Sequence, residues 1–200
     1  SQYQIATTLE ELNSAEGRMD RLIVVPPALL SQLARDRNHR FAFATHGLVP
    51  GDLNGLVQPA LALSAPEVTG TDDDGLLTMN DILGLRLDAD WVVLSACNTA
   101  AGHQAGGEAL SGLGRAFFYA GARSLLVSHW PAETTSAKAL TTELFRHQAQ
   151  NPALTKAQAL RDTMLGLIDG PGYVDPSANK TVFSYAHPIF WAPFSLIGIP

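Results

Sequence analysis

Four short runs of apolar residues, many of them β-branched or aromatic, are spaced along the chain and predict strands. Apolar side chains follow one another in these runs with few polar interruptions. That pattern is typical of strands that are buried on both faces of a parallel sheet. The runs are RLIVV at 21–25, FAFAT at 41–45, DWVVLSA at 90–96 and SLLVSHW at 124–130.

Between and after these runs, apolar residues recur at helical spacing. Pro27 suits the first turn of a helix, Thr78 is a suitable N-cap, and Gly121 is placed to end a helix. Gly112 and Gly114 inside that helix indicate close packing against the sheet. The predicted helices cover 27–36, 77–85, 106–121, 135–150 and 155–168. Strands and helices in alternation predict an α/β fold, with an open, mostly parallel sheet and helices on both faces.

Three segments depart from this alternation. Residues 56–77 predict a hairpin with an acidic turn, and residues 170–181, rich in glycine and proline, predict a loop. In the last segment, HPIFWAPFSLIG, we expect His187, Trp191 and Phe194 to belong to the edge of a final strand, because the prolines around them suit only an edge.

The composition narrows the function classes. A chain of 200 residues with 46% hydrophobic content fits one domain with its own core. A net charge of -6 at pH 7 argues against nucleic-acid binding. No run approaches the about 20 apolar residues of a membrane span, so we expect no membrane partner. The single cysteine excludes an intrachain disulfide, which favours a reducing, cytoplasmic setting.

Two predicted strands end in residues that can do chemistry. His46 and Gly47 follow one strand, and Cys97 follows another. The carboxyl ends of parallel strands share one edge of a sheet, so a histidine there can act as the base that activates a thiol. The amides of Gly47 and Cys97 can then form an oxyanion hole for acyl transfer. The alternative is that Cys97 is a small buried core residue.

Four motifs carry a family resemblance. FAFATHG, VVLSACNTAAG, GEALSGLGRAFFYAGARSLLVSHWP and HPIFWAPFSLIG follow one another in the order and spacing of the CHAT domain. That domain resembles the caspase and separase peptidases and is often attached to tetratricopeptide repeats in bacteria. The resemblance implies a caspase-like fold in which His46 is the general base and Cys97 the nucleophile, with no cofactor and no metal. It also implies a protein or peptide substrate and regulation by tetratricopeptide repeats or another attached domain.

The sequence departs from the family pattern at three places. The family has further strand and helix before residue 21, so we expect residues 1–200 to be one CHAT-like domain of a larger protein. The loop after Cys97 contains His103, which either contacts substrate or is a solvated loop residue. In place of the paired acids after the Ser-His-Trp motif, Glu133 is followed by Thr134. The loss of the second acid puts specificity for a basic P1 residue in doubt, unless Glu133 compensates.

Several other residues have two interpretations each. His129, beside Trp130, either shapes the substrate pocket or has a structural hydrogen bond. Glu108 either stabilises the N-terminus of its helix or contacts substrate. The Asp72 to Asp74 turn lacks the full calcium-loop pattern, and AGGEALSGLG lacks the lysine of a phosphate loop. Two other functions stay open: a protein-interaction scaffold without proteolysis, and, less favoured, a nucleotide-binding domain, which lacks its glycine motif.

Overall fold

A computed structural model describes residues 39–43, 45–63, 72, 74–95, 105–175 and 177–199. The side chains of His39 and of residues 105–110 are not described. The predicted strand at 21–25 and the predicted helix at 27–36 lie outside these ranges, as do Cys97 and His103.

A four-stranded sheet forms the centre of the described structure. Its strands are β1 (His39–Phe43), β5 (Ala89–Leu94), β6 (Ser124–Ser128) and β9 (Phe194–Gly198), in that spatial order. β1, β5 and β6 run parallel, while β9 runs antiparallel to β6 at the edge. The mostly parallel sheet predicted from the apolar runs is therefore confirmed.

Among the described residues, helices lie on both faces of this sheet, and one further short helix packs beside them. These helices are α1 (Met79–Gly84), α2 (Ala105–Tyr119), α3 (Thr134–Gln150) and α4 (Lys156–Asp169). On one face, Leu113 and Phe117 of α2 pack on the sheet beside Phe43. On the other, Leu140 of α3 and Leu160 of α4 pack on the sheet. Burying an aliphatic or aromatic side chain of this size contributes about 1.5–3 kcal/mol, so both faces stabilise the sheet.

The predicted helix boundaries hold where local signals are strong. The Thr78 side chain accepts a hydrogen bond from the backbone N–H of Asp81, and the Asp81 carboxylate accepts one from Thr78 N–H, so α1 begins with a capping box. Gly114 approaches Leu125 of the sheet closely, as predicted. Gly112 approaches Met79 of α1 instead, because α1 and the sheet lie against different sides of α2.

A small antiparallel sheet extends from the carboxyl end of β1. It comprises β2 (Gly47–Leu48), β3 (Ala60–Ala62) and β4 (Leu76–Thr78). The antiparallel pairing of β3 with β4 confirms the hairpin predicted at 56–77. In its acidic turn, the Asp74 carboxylate accepts a hydrogen bond from Leu76 N–H at 3.0 Å, while Asp73 lies outside the described residues.

The prediction of a loop at 170–181 is wrong, because this segment forms most of a second hairpin. β7 (Tyr173–Asp175) pairs antiparallel with β8 (Lys180–Phe183). The glycines and the two prolines of this segment obscured two short strands whose aromatic residues stack, with the Tyr173 and Phe183 ring centroids 5.4 Å apart.

The last strand is also shorter than predicted. Residues Pro188–Phe190 form a 3-10 turn capped by the His187 ring, and the strand begins only at Phe194. His187 and Trp191 thus lie before the strand.

Candidate active site

The register of the central sheet brings the two predicted strand ends together. Phe43 at the end of β1 lies beside Leu94 at the end of β5. Beyond them, Ser95 N–H donates to the Phe43 carbonyl at 3.1 Å, so the strands stay paired as they leave the sheet. His46 follows Phe43 by three residues, and Cys97 follows Leu94 by three. The His46–Cys97 pairing itself stays a prediction, because Cys97 is not among the described residues.

The backbone of His46 is held at the junction of the central and small sheets. The buried Thr45 hydroxyl donates a short hydrogen bond to the carbonyl of Ala62. Ala62 N–H in turn donates to the His46 carbonyl at 2.9 Å. Residue 46 is nevertheless exposed. A fixed main chain therefore carries an exposed imidazole at the end of β1, and its role as general base stays a prediction.

Gly47 occupies a position whose amide faces away from its partner strand. Paired residues in antiparallel strands alternate between hydrogen-bonded and non-hydrogen-bonded pairs. The bond from Ala62 to His46 makes that pair hydrogen-bonded, so the next pair, Gly47 with Leu61, is of the other kind. The N–H of Gly47 therefore points away from β3, and its role in an oxyanion hole stays a prediction.

His129 has the contacts expected of its structural interpretation. It directly follows β6 and is half-buried, and its backbone N–H donates to the Pro193 carbonyl at 2.9 Å. Its Nε2 lies 2.9 Å from the Ser195 hydroxyl of β9. These bonds orient the ring, and its role as a pocket wall stays a prediction. Trp130 follows it with 40% of its surface exposed, so an apolar wall is available to a ligand here.

Glu133 is the N-cap of α3. Its carboxylate accepts hydrogen bonds from Thr135 N–H at 2.9 Å, Ser136 N–H at 2.8 Å and the Thr135 hydroxyl at 2.6 Å. Slight burial acts to raise the pKa of Glu133, but the hydrogen bonds from Thr135 and Ser136 outweigh it and hold the pKa below its usual range. The Glu133 carboxylate is thus charged, but it is already hydrogen-bonded to the start of α3. Thr134 beside it is exposed. A basic P1 side chain would have to compete with the helix for this carboxylate.

Three residues near these positions have no signal in the sequence. Thr45 anchors the histidine turn, and Ser195 orients His129, yet an isolated serine or threonine in a strand is unremarkable in a single sequence. Tyr185 is buried beside α3, and burial, together with the Glu133 charge, raises the pKa of its phenol although the Thr135 hydrogen bond opposes this.

Two further properties concern the described part of the chain alone. No three His, Cys, Asp or Glu side chains there come together as ligands of a metal ion would. Likewise, no helix there has the length and apolar character to cross a membrane.

Glu108 is the fourth residue of α2, in the first turn of that helix. Its side chain is not described, so both of its interpretations stay predictions.

The family comparison covers almost the whole chain. The model of the CHAT domain family matches residues 5–199, a range that includes β1, β5 and the segment joining β5 to α2.

A curated relative comes from the mouse. Tetratricopeptide repeat protein 28 is 36% identical to the chain over 126 residues. The aligned stretch is 62% of this chain but 4% of that protein's length, so the chain spans a small part of its relative.

Proposed function

The chain belongs to the CHAT domain family, and we propose that it is a cysteine endopeptidase with Cys97 as nucleophile and His46 as general base. The family has a caspase-like, peptidase-related fold. The observation that carries the proposal is the pairing of Phe43 with Leu94, from which the chain reaches His46 and Cys97 in equal numbers of residues.

The proposed chemistry proceeds in two acyl-transfer steps. His46 takes the thiol proton of Cys97, and the thiolate attacks the carbonyl carbon of the scissile peptide bond. The carbonyl oxygen becomes an oxyanion that accepts hydrogen bonds from the Gly47 and Cys97 amides. The intermediate then expels the amine, which takes its proton from His46, and leaves a thioester. Water, deprotonated by His46, hydrolyses the thioester and restores the thiol.

Helix α2 supports a negatively charged sulfur. Ten residues separate Leu94 from the first residue of α2, Ala105, and Cys97 stands near the start of that connection. A 15-residue helix presents backbone N–H groups and the positive end of its dipole at its N-terminus. In a β-α-β unit this end faces the carboxyl edge of the sheet, where a thiolate would form.

The substrate-binding residues of the proposal follow the same edge. His129 and Trp130 would line the pocket beside the end of β6, and Trp130 would supply apolar surface to a substrate side chain. Glu133 would be the acid nearest the pocket. Because its carboxylate already caps α3, we propose that cleavage is not restricted to basic P1 residues.

We also propose that the domain acts in the cytoplasm within a larger protein and that attached repeats regulate it. The support is that the mouse relative is named for tetratricopeptide repeats, and that the matched segment is a small fraction of it. Protein substrates would then be presented by the repeats, while cleavage is done at the Cys97 edge.

The test is covalent labelling and peptide cleavage measured on the same preparations. A chloromethyl-ketone or vinyl-sulfone peptide probe is incubated with the wild-type chain and with Cys97→Ala, His46→Gln and His147→Gln, and labelling is read by intact mass. His147 is the matched control, because its neighbour Gln148 bonds Trp91 near the amino end of β5, at the opposite edge of the sheet. Fluorogenic peptides varied at P1 are assayed in parallel.

We expect labelling and cleavage to disappear in Cys97→Ala and to fall about 100-fold in His46→Gln, the usual size of a general-base contribution. His147→Gln should behave as wild type. Equal labelling of the wild type and His46→Gln contradicts the dyad. If the natural, full-length protein retains its cellular effect when it carries Cys97→Ala, the domain is instead an interaction scaffold.

A further inference from the structure

A second charged site lies at the amino edge of the central sheet, opposite the proposed peptidase site. A cavity of about 390 Å³ opens between the starts of β1 and β5, the end of α3 and the start of α4. Its charged lining residues are Arg40, Asp90 and Lys156. Two cations and one carboxylate leave this cavity with a net charge of +1.

The Lys156 ammonium is held rigidly in this cavity. The residue is 8% exposed, and its Nζ lies 2.7 Å from a carboxylate oxygen of Asp90 and 2.9 Å from the Ser124 hydroxyl. It also sits over the Trp91 ring, with Nζ 5.6 Å from the ring centroid. The charges of Lys156 and Asp90 therefore neutralise each other, and the positive charge of Arg40 is not neutralised by this pair.

A β-bulge brings Asp90 to this side of the sheet. The register shifts between His39 and Arg40, which pair with Ala89 and Trp91, so Asp90 is the extra residue. Strict alternation would direct Asp90 to the face opposite Trp91. The bulge instead allows its carboxylate to meet Lys156 on the face that Trp91 occupies.

The Arg40 guanidinium is half-buried and stacks on an aromatic ring, with Cζ 5.4 Å from the centroid of Phe145. Within the ranges that the structure describes, no hydrogen bond or ion pair reaches this guanidinium. Burial lowers the pKa of Arg40, although the Asp90 charge opposes this. The N–H groups of such a desolvated guanidinium can donate two parallel hydrogen bonds to a planar or tetrahedral anion.

Gln148 adds two further donors on the same wall. Its side-chain oxygen accepts the indole N–H of Trp91 at 2.9 Å. Because an indole N–H can only donate, the amide oxygen must face Trp91 and the NH₂ group must face the other way. The Arg40 and Gln148 donors thus share a lining with the N-terminus of α4, where negative charge is favoured.

We propose that this cavity binds a small oxyanion, a carboxylate or phosphate group, held by the Arg40 fork and the Gln148 amide. The proposal does not depend on the peptidase function, since none of these residues belongs to that site. A cavity of this size admits a small metabolite or a single side chain. A monoanion neutralises the net charge of the lining.

The test is an NMR titration that uses Trp91 as its reporter. The ¹⁵N-labelled 200-residue chain is titrated with inorganic phosphate and, separately, with acetate, and chloride replaces the anion at constant ionic strength. We expect the indole N–H signal of Trp91 to shift and saturate, with a Kd of about 1 mM or tighter, while Trp130 and Trp191 stay unchanged. Saturation by one anion only identifies the group that the site prefers.

Two variants decide whether the shift comes from the proposed donors. Arg40→Gln removes the fork and should weaken binding about tenfold or more. Gln148→Glu keeps the oxygen that Trp91 needs but adds a negative charge, and should abolish binding even if Arg40→Gln fails to fold. No saturating shift in the wild type, or the same shift in Gln148→Glu, overturns the proposal.

Discussion

The N-cap of α3 gives a prediction that separates a structural from a specificity role for Glu133. The change is Glu133→Ala, and Glu143→Ala serves as the matched control, because it removes the same charge from the same helix. Glu143 forms an exposed pair with Arg146 at i,i+3, which contributes about 0.3–0.5 kcal/mol. Glu133 instead receives three hydrogen bonds, two of them from backbone N–H groups at the helix start.

The expected loss for Glu133→Ala is about 1 kcal/mol of unfolding free energy, which is typical of a lost N-cap. Residue 133 is exposed, so water can replace the carboxylate at the N–H of the partly exposed Thr135, whereas Ser136 is buried, which keeps the loss from falling much below this value. For a chain of 200 residues, this corresponds to a decrease of roughly 2–4 °C in Tm.

The loss also depends on pH in a defined direction. Hydrogen bonds from Thr135 and Ser136 outweigh the opposing effect of burial and lower the pKa of Glu133 below its unfolded value of 4.5. The stability that the charged form contributes is therefore present above pH 4.5 and disappears as pH falls through the lower folded pKa. The difference between wild type and variant should shrink between pH 7 and pH 3.

The assay is urea unfolding of the wild type and both variants at pH 7 and at pH 3, with the slope m checked for constancy. Equal midpoints for Glu133→Ala and Glu143→Ala would refute the cap argument, and so would a difference that does not change with pH. If the P1 preference changes in Glu133→Ala while stability does not, the residue serves the substrate and not the helix.

The remaining predictions concern a helix end and the substrate pocket. Gly121 has φ +109°, and a Cβ there would lie 2.0 Å from the Leu87 carbonyl oxygen, so Gly121→Ala should destabilise by more than the about 1–2 kcal/mol of backbone strain alone. Gly51→Ala, with φ +96° and open space around it, isolates that strain, and equal urea midpoints for both would contradict the clash. Thr134→Asp restores the second acid of the family pattern and should favour arginine over alanine at P1 by about two- to fivefold in kcat/KM, as one exposed ion pair allows. Thr142→Asp, exposed on the same helix, should not, and an unchanged P1 ratio in Thr134→Asp places the pocket elsewhere.

The helices and parallel strands were predictable because their signals are local. Apolar runs mark β1, β5 and β6, and Thr78, Gly121 and Thr155 mark helix ends by hydrogen bonds within a few residues of themselves. The hairpin of β7 and β8 was not predicted, because its strands have only three and four residues and the glycines and prolines beside them are typical of a loop. Its pairing depends on aromatic stacking between residues ten positions apart.

The sequence determines which residues follow the strands, and the tertiary structure determines which strands are neighbours. The sequence alone places a histidine and a cysteine directly after strands, because strand patterns and turn residues are local properties. Only the folded sheet determines that β1 lies beside β5, since strand order depends on which faces the helices bury. The cap role of Glu133 is local, since its partners Thr135 and Ser136 are two and three residues away, but the meeting of Arg40, Asp90 and Lys156 is tertiary. Hydrogen bonds and ion pairs between residues distant in sequence leave no periodic pattern, so packing alone decides them.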